Sequence, residues 1–110
     1  MHLYDENDYP RWCLVTSPER FRLVIDTERD AATLDVVVAE AALTPDGDCY
    51  KIFFRTKSLA RWYRRKYRLT EYALMELDYG NWLRTTGGDP VYIVEGIADD
   101  NVVVSWALPE

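Results

Sequence analysis

Apolar residues along this chain recur at two different periods, and the places where the period changes divide it into elements. Over 20–26, Phe21, Leu23 and Ile25 alternate with Arg22, Val24 and Asp26; a short apolar run at 11–16 precedes them, and Ser17-Pro18-Glu19 between the two supplies turn residues. These two runs read as a β-hairpin. Between 33 and 43 the positions Leu34, Val36 and Val38 alternate, and Val36-Val37-Val38 favours a strand, although the alanines and a capping Asp30 would suit a helix. The Pro and Gly of Thr44-Pro45-Asp46-Gly47-Asp48 then make a tight connection, so 33–43 is read as a third strand and 49–55 as a fourth.

From Lys57 the spacing becomes helical and predicts a helix over 57–68. Thr70 as N-cap, with Glu71 in the first turn, predicts a second helix running to about Tyr79, with Gly80-Asn81 as its stop or with a continuation to Arg84. On that helix Tyr72, Met75, Tyr79 and Trp82 would form one stripe at spacings of three and four, best read as core packing. A turn over 85–90 leads to a closing hairpin, 91–97 and 102–108, across Ala98-Asp99-Asp100-Asn101. The order ββββααββ predicts an α+β fold, a mostly antiparallel sheet with two helices on one face.

Composition bounds what such a fold can be. With 110 residues, 48% apolar and 14% aromatic, the chain can bury one core and is too short for two domains. Residues 1–110 are read as a single domain, with 1–10 an acidic arm that has scope to be flexible. Its longest apolar runs fall far short of the roughly 20 residues that span a bilayer, and its acidic start is unlike a secretory leader, which gives a cytoplasmic protein and no membrane partner. Cys13 and Cys49 both fall in expected strands; buried reduced thiols are the simpler reading, and one bridge is the alternative in an oxidising compartment.

Candidate chemistry is thin. The single histidine, His2, lies in the arm, which argues against Ser-His or Cys-His nucleophiles, histidine zinc sites and histidine acid–base catalysis. The carboxylates of 26–30 and 46–48 lack the spacing of an EF-hand loop, and Thr86-Gly87-Gly88-Asp89 lacks the lysine of a phosphate loop. No pair of acids is singled out for hydrolysis. The expectation is a protein without catalytic residues, metal or cofactor.

Charge is the feature that stands out. The net charge of −6 is an average: residues 1–50 carry eleven acids and four bases, 51–70 carry eight bases and no acid, and 71–110 carry eight acids and one base. Projected on a helix, Lys57, Arg61, Arg64, Arg65 and Arg68 fall within an arc of about 100°, with Leu59, Trp62, Tyr63 and Leu69 opposite. Lys66 projects into the apolar arc and must snorkel out or pair with a carboxylate of the sheet. A solvated face closed by internal ion pairs is one reading of this stripe. The other is a recognition face in which Arg61, Arg64, Arg65 and Arg68, with Trp62 and Tyr67 beside them, contact a partner.

Two partners fit a recognition face. On nucleic acid the arginines would meet phosphates while Trp62 or Tyr67 stacks, but the acidic remainder repels the backbone. An acidic protein surface fits the bipolar charge better. The sequence therefore points to a non-enzymatic intracellular interaction protein: a small acidic inhibitor, immunity or accessory protein binding another macromolecule by charge complementarity. The alternative is a nucleic-acid-binding regulatory module using the basic helix 57–68. Oligomeric state is left open.

Overall fold

A computed structural model describes residues 5–27, 51–86 and 91–107. The expected strand over 33–43, Cys49, the acidic turn at 46–48 and His2 lie outside the described residues. The elements in chain order are β1 (Trp12–Val15), α1 (Pro18–Thr27), β2 (Ile52–Phe54), α2 (Lys57–Lys66), β3 (Ala73–Glu76), α3 (Tyr79–Thr86), β4 (Val91–Ala98) and β5 (Asn101–Ala107). The fold is α+β, and its five strands stand in the order β3-β1-β2-β4-β5.

The sheet is mixed. β1 pairs antiparallel with β2 and β3, and β4 with β5, while β2 and β4 run parallel, Phe53 facing Ile93. A parallel pair needs a crossover, and the chain from α2 through α3 provides it. The central strands explain why helices cover both faces rather than one. Ile52, Phe53 and Phe54 are all fully buried, as are Val91 through Val94, so neither side of the sheet can face water. Phe53, Ile93, Cys13 and Met75 pack with Phe21 of α1 and Trp82 of α3 on one side. Ile52, Phe54, Tyr92 and Val94 pack with Ala60 and Tyr63 of α2 on the other.

Two expected elements are corrected by the structure. The second arm of the first hairpin is a helix, α1. Ser17 caps it, its Oγ accepting from the Arg20 N–H at 3.3 Å, Pro18 fills the first helical position, and Glu19 follows in the first turn. The alternation at 21, 23 and 25 is incidental, for Phe21 is buried while Leu23 is 63% exposed. The expected helix from Thr70 is instead the strand β3 followed by α3. Helix-favouring residues at 73–76 are drawn into the sheet by pairing with β1, from Trp12 opposite Glu76 to Val15 opposite Ala73. Gly80 and Asn81 open α3 rather than ending a helix, because Asp78 is the cap and its Oδ1 accepts from the Asn81 N–H at 2.8 Å. Tyr72, Met75, Tyr79 and Trp82 thus pack in the core as expected, but from three separate segments and on both faces of the sheet.

The closing hairpin stands as read. Asp99 and Asp100 take φ of 51° and 66°, the left-handed pair that a two-residue hairpin turn of matching twist requires. Tyr9 anchors the end of the acidic arm. Tyr9 is buried among Tyr79 and Trp82, and its hydroxyl donates to the Leu77 carbonyl at 2.7 Å. Among the described residues no helix is long and apolar enough to cross a membrane.

Candidate functional site

The basic segment forms α2, and local chemistry fixes both of its ends. Thr56, in extended backbone, accepts from the Leu59 N–H through Oγ1 at 3.2 Å and satisfies one of the free donors of the first turn. The last turn carries Arg64, Arg65 and Lys66, the sign that the helix dipole favours there. Leu59, Trp62 and Tyr63 face the sheet and join the apolar cluster around Phe54, as the wheel predicts, and Ala60 beside them is also buried there. Phe54 meets Tyr63 edge to face at 5.1 Å between ring centroids.

α2 ends where the wheel projection stops applying. Tyr67 is the C-cap, and Arg68 turns left-handed with φ 55°. The Arg68 N–H then donates to the Arg65 carbonyl at 3.3 Å and the Leu69 N–H to the Arg64 carbonyl at 2.9 Å, a Schellman pair. Glycine is the usual residue at that position; a side chain with a Cβ costs about 1 kcal/mol there. The turn swings Arg68 back over the last helical turn while Leu69 reaches the core cluster.

As a result Arg61, Arg64, Arg65 and Arg68, joined by Thr70, line one concavity of about 420 Å³. Arg64 is half-buried and fixed, its Nε donating to the Tyr72 carbonyl at 2.6 Å and its Nη2 to the Thr70 carbonyl at 3.4 Å. Arg61, Arg65 and Arg68 are exposed. Among the described residues no carboxylate forms an ion pair with any of these four. A smaller neighbouring concavity, about 260 Å³, is lined by Trp62, Arg65, Lys66 and Asp100, so Arg65 stands between the two.

The other cations of 51–70 each have a partner within the chain, Lys51 and Arg55 partly buried and Lys57 and Lys66 exposed. Arg55 makes a two-pronged pair with Glu95, at 3.1 and 3.0 Å, and also donates to the Asp8 carbonyl. Ser105 donates to the same Glu95 carboxylate at 2.7 Å. Lys51 donates to the Thr85 carbonyl at 2.7 Å, and Lys57 lies 5.5 Å over the Trp12 ring. Lys66 resolves its awkward position by crossing Trp62 at 5.2 Å from the ring centre and donating to the Asp100 carbonyl at 2.7 Å, a main-chain partner rather than a carboxylate of the sheet. The partners of Lys57 and Lys66 are neutral and hold these cations in place without cancelling their charge.

The structure therefore brings together all four arginines named from the sequence. Trp62 is half-buried on the flank, in the second concavity, and Tyr67 is 41% exposed with its ring 4.5 Å from Tyr63. Thr70 on the rim, the Tyr72 carbonyl behind Arg64 and the neighbouring Asp100 were not found from the sequence. The last could have been suspected from the hairpin tip; the others depend on how the chain leaves α2.

Elsewhere, Cys13 is a free, fully buried thiol that donates to the Met75 carbonyl at 3.6 Å, and burial pushes its pKa up to about 12. Burial also raises the Tyr9 hydroxyl, partly offset by the nearby Arg11. Among the described residues no three His, Cys, Asp or Glu side chains stand together as a metal site would need. No family model, no curated protein and no solved structure matches the chain.

Proposed function

We propose that this protein is a non-catalytic binding protein that docks an acidic surface of a protein partner onto the arginine concavity at the C-terminal end of α2. One observation carries the reading: Arg61, Arg64, Arg65 and Arg68 converge on one concavity, and among the described residues no carboxylate pairs with them. Guanidinium forks match carboxylates in pairs of hydrogen bonds, which supplies specificity as well as attraction. The acidic segments on either side in the sequence favour a protein over a nucleic acid, since a long polyanion would have to run past Glu71 or the Asp99–Asp100 tip. A small inhibitor or accessory protein is the kind of molecule this arrangement serves.

The test compares a labelled oligoglutamate with a single-stranded oligonucleotide of equal charge, by fluorescence anisotropy at several NaCl concentrations. Oligoglutamate should bind, weaken as salt rises, and be lost in the Arg61→Glu/Arg65→Glu double variant with its circular dichroism unchanged. Tighter binding of the oligonucleotide would hand the same face to nucleic acid. No binding of either at low salt would end the proposal.

A further inference from the structure

Resting on that reading, we infer that the anion seated in the concavity is a phosphate monoester, carried on a phosphorylated side chain of the protein partner. The argument begins with the number of donors. One or two guanidiniums satisfy a carboxylate, which has two oxygens and one charge. Here four arginines and Thr70 border a single concavity; Arg64 gives its Nε and part of Nη2 to the Tyr72 and Thr70 carbonyls, and the other three arginines are exposed. A phosphate monoester offers three acceptor oxygens and close to two charges at neutral pH, the match for such a cluster.

Position gives the second line. Arg64 is held by two main-chain carbonyls, so it is fixed before any ligand arrives and little ordering is left to bind. Arg68 occupies a left-handed position where glycine would be easier, and it is the turn there that brings its side chain to the concavity. An arginine kept at an energetic disadvantage is explained if its side chain is used.

Extent gives the third. The positive region is short: Glu71 follows Thr70, and Asp100 lines the neighbouring concavity on the far side of Arg65. A compact dianion fits between these acids, whereas a chain of phosphodiesters would be carried over them. A protein-borne phosphate also lets the partner's flanking residues reach the second concavity, where Trp62 offers apolar surface and Asp100 a negative charge.

The experiment uses three peptides identical but for one position, occupied by serine, glutamate or phosphoserine in the same acidic context, with inorganic phosphate as a fourth probe, all measured by calorimetry on the full chain. The phosphoserine peptide should bind on the order of tenfold more tightly than the glutamate peptide, the difference expected of added charged hydrogen bonds. It should also weaken as pH falls through the second phosphate ionisation near 6, which glutamate does not share. Equal affinity for the glutamate and phosphoserine peptides would overturn this inference while leaving the acidic-surface reading intact; no binding of any peptide would overturn both. Inorganic phosphate binding as tightly as the phosphopeptide would overturn the protein-borne source. Arg68→Gly separates site from scaffold: its denaturation midpoint should rise while phosphopeptide affinity falls on the order of tenfold, with Arg68→Lys intermediate in affinity. Unchanged affinity in Arg68→Gly would overturn the seat described here.

Discussion

Cys13 shows what a single residue contributes to this scaffold. Its thiol sits between β1 and β3, fully buried, and donates to the Met75 carbonyl. A thiolate there would be desolvated with no cation to hold it, hence the rise from 9.0 to about 12. A raised pKa means that the folded protein keeps a proton which the unfolded chain gives up. The stability associated with Cys13 is therefore complete below pH 9 and falls as pH rises toward 12, by at most about 1.4 kcal/mol per pH unit. Urea denaturation should show that the advantage of the wild type over Cys13→Ala holds steady from neutral pH to about 9 and shrinks above it. A constant difference across that range would contradict the burial argument. The buried reduced thiol was legible in the sequence, and so were Arg61 and Arg65, whose places follow from helical period. Arg68 was named for a different geometry from the one it adopts. It reaches the concavity through a left-handed turn, and no local pattern announces an arginine where glycine is the norm.

At the scale of elements, legibility tracked how far each depends on its own residues. The existence of α2 and of the β4–β5 hairpin was legible because period and turn lie within the segment, although α2 ends at Lys66 rather than at the expected Arg68. α1 was misread because Ser17-Pro18-Glu19 is at once a turn signature and a helix start, and the residues beyond it alternate by coincidence. β3 could not be read locally at all. Ala73, Leu74, Met75 and Glu76 favour helix, and only their partners in β1, some 60 residues earlier in the chain, make them a strand. The same non-local pairing matters to the site, since it places Tyr72 just before β3, where its carbonyl receives Arg64. For α2 itself, Thr56→Ala removes the cap from a helix whose first turn has no acid to offset the loss. Stability should fall by about 1 kcal/mol, measured as a lower thermal midpoint, with Thr56→Ser restoring most of it. An unchanged midpoint would mean that packing of Tyr63 and Ala60 alone fixes that end.

For the molecule as a whole the question is how a chain of net charge −6 tolerates a cluster of uncancelled arginines. Lys57 and Lys66 are held by aromatic faces and a carbonyl, which anchor side chains but supply no negative charge. Arg55, tied to Glu95, has its charge met by a described carboxylate, and that pair joins β2 to β4 while Arg55 also grips the arm at Asp8. The arginines of α2 stand three and four residues apart, spacings at which like charges destabilise a helix by a few tenths of a kcal/mol each. Salt distinguishes this arrangement from a surface closed by internal ion pairs. Screening weakens attraction in a paired surface and repulsion in an unpaired one, with a range of about 10 Å at 0.1 M. Raising NaCl should therefore raise the thermal midpoint of the wild type. Arg61→Gln/Arg65→Gln should be the more stable protein at low salt and gain less from added NaCl. A wild type that loses stability as salt rises would place carboxylates against those guanidiniums after all, and with them would go the reason to seek an anion there.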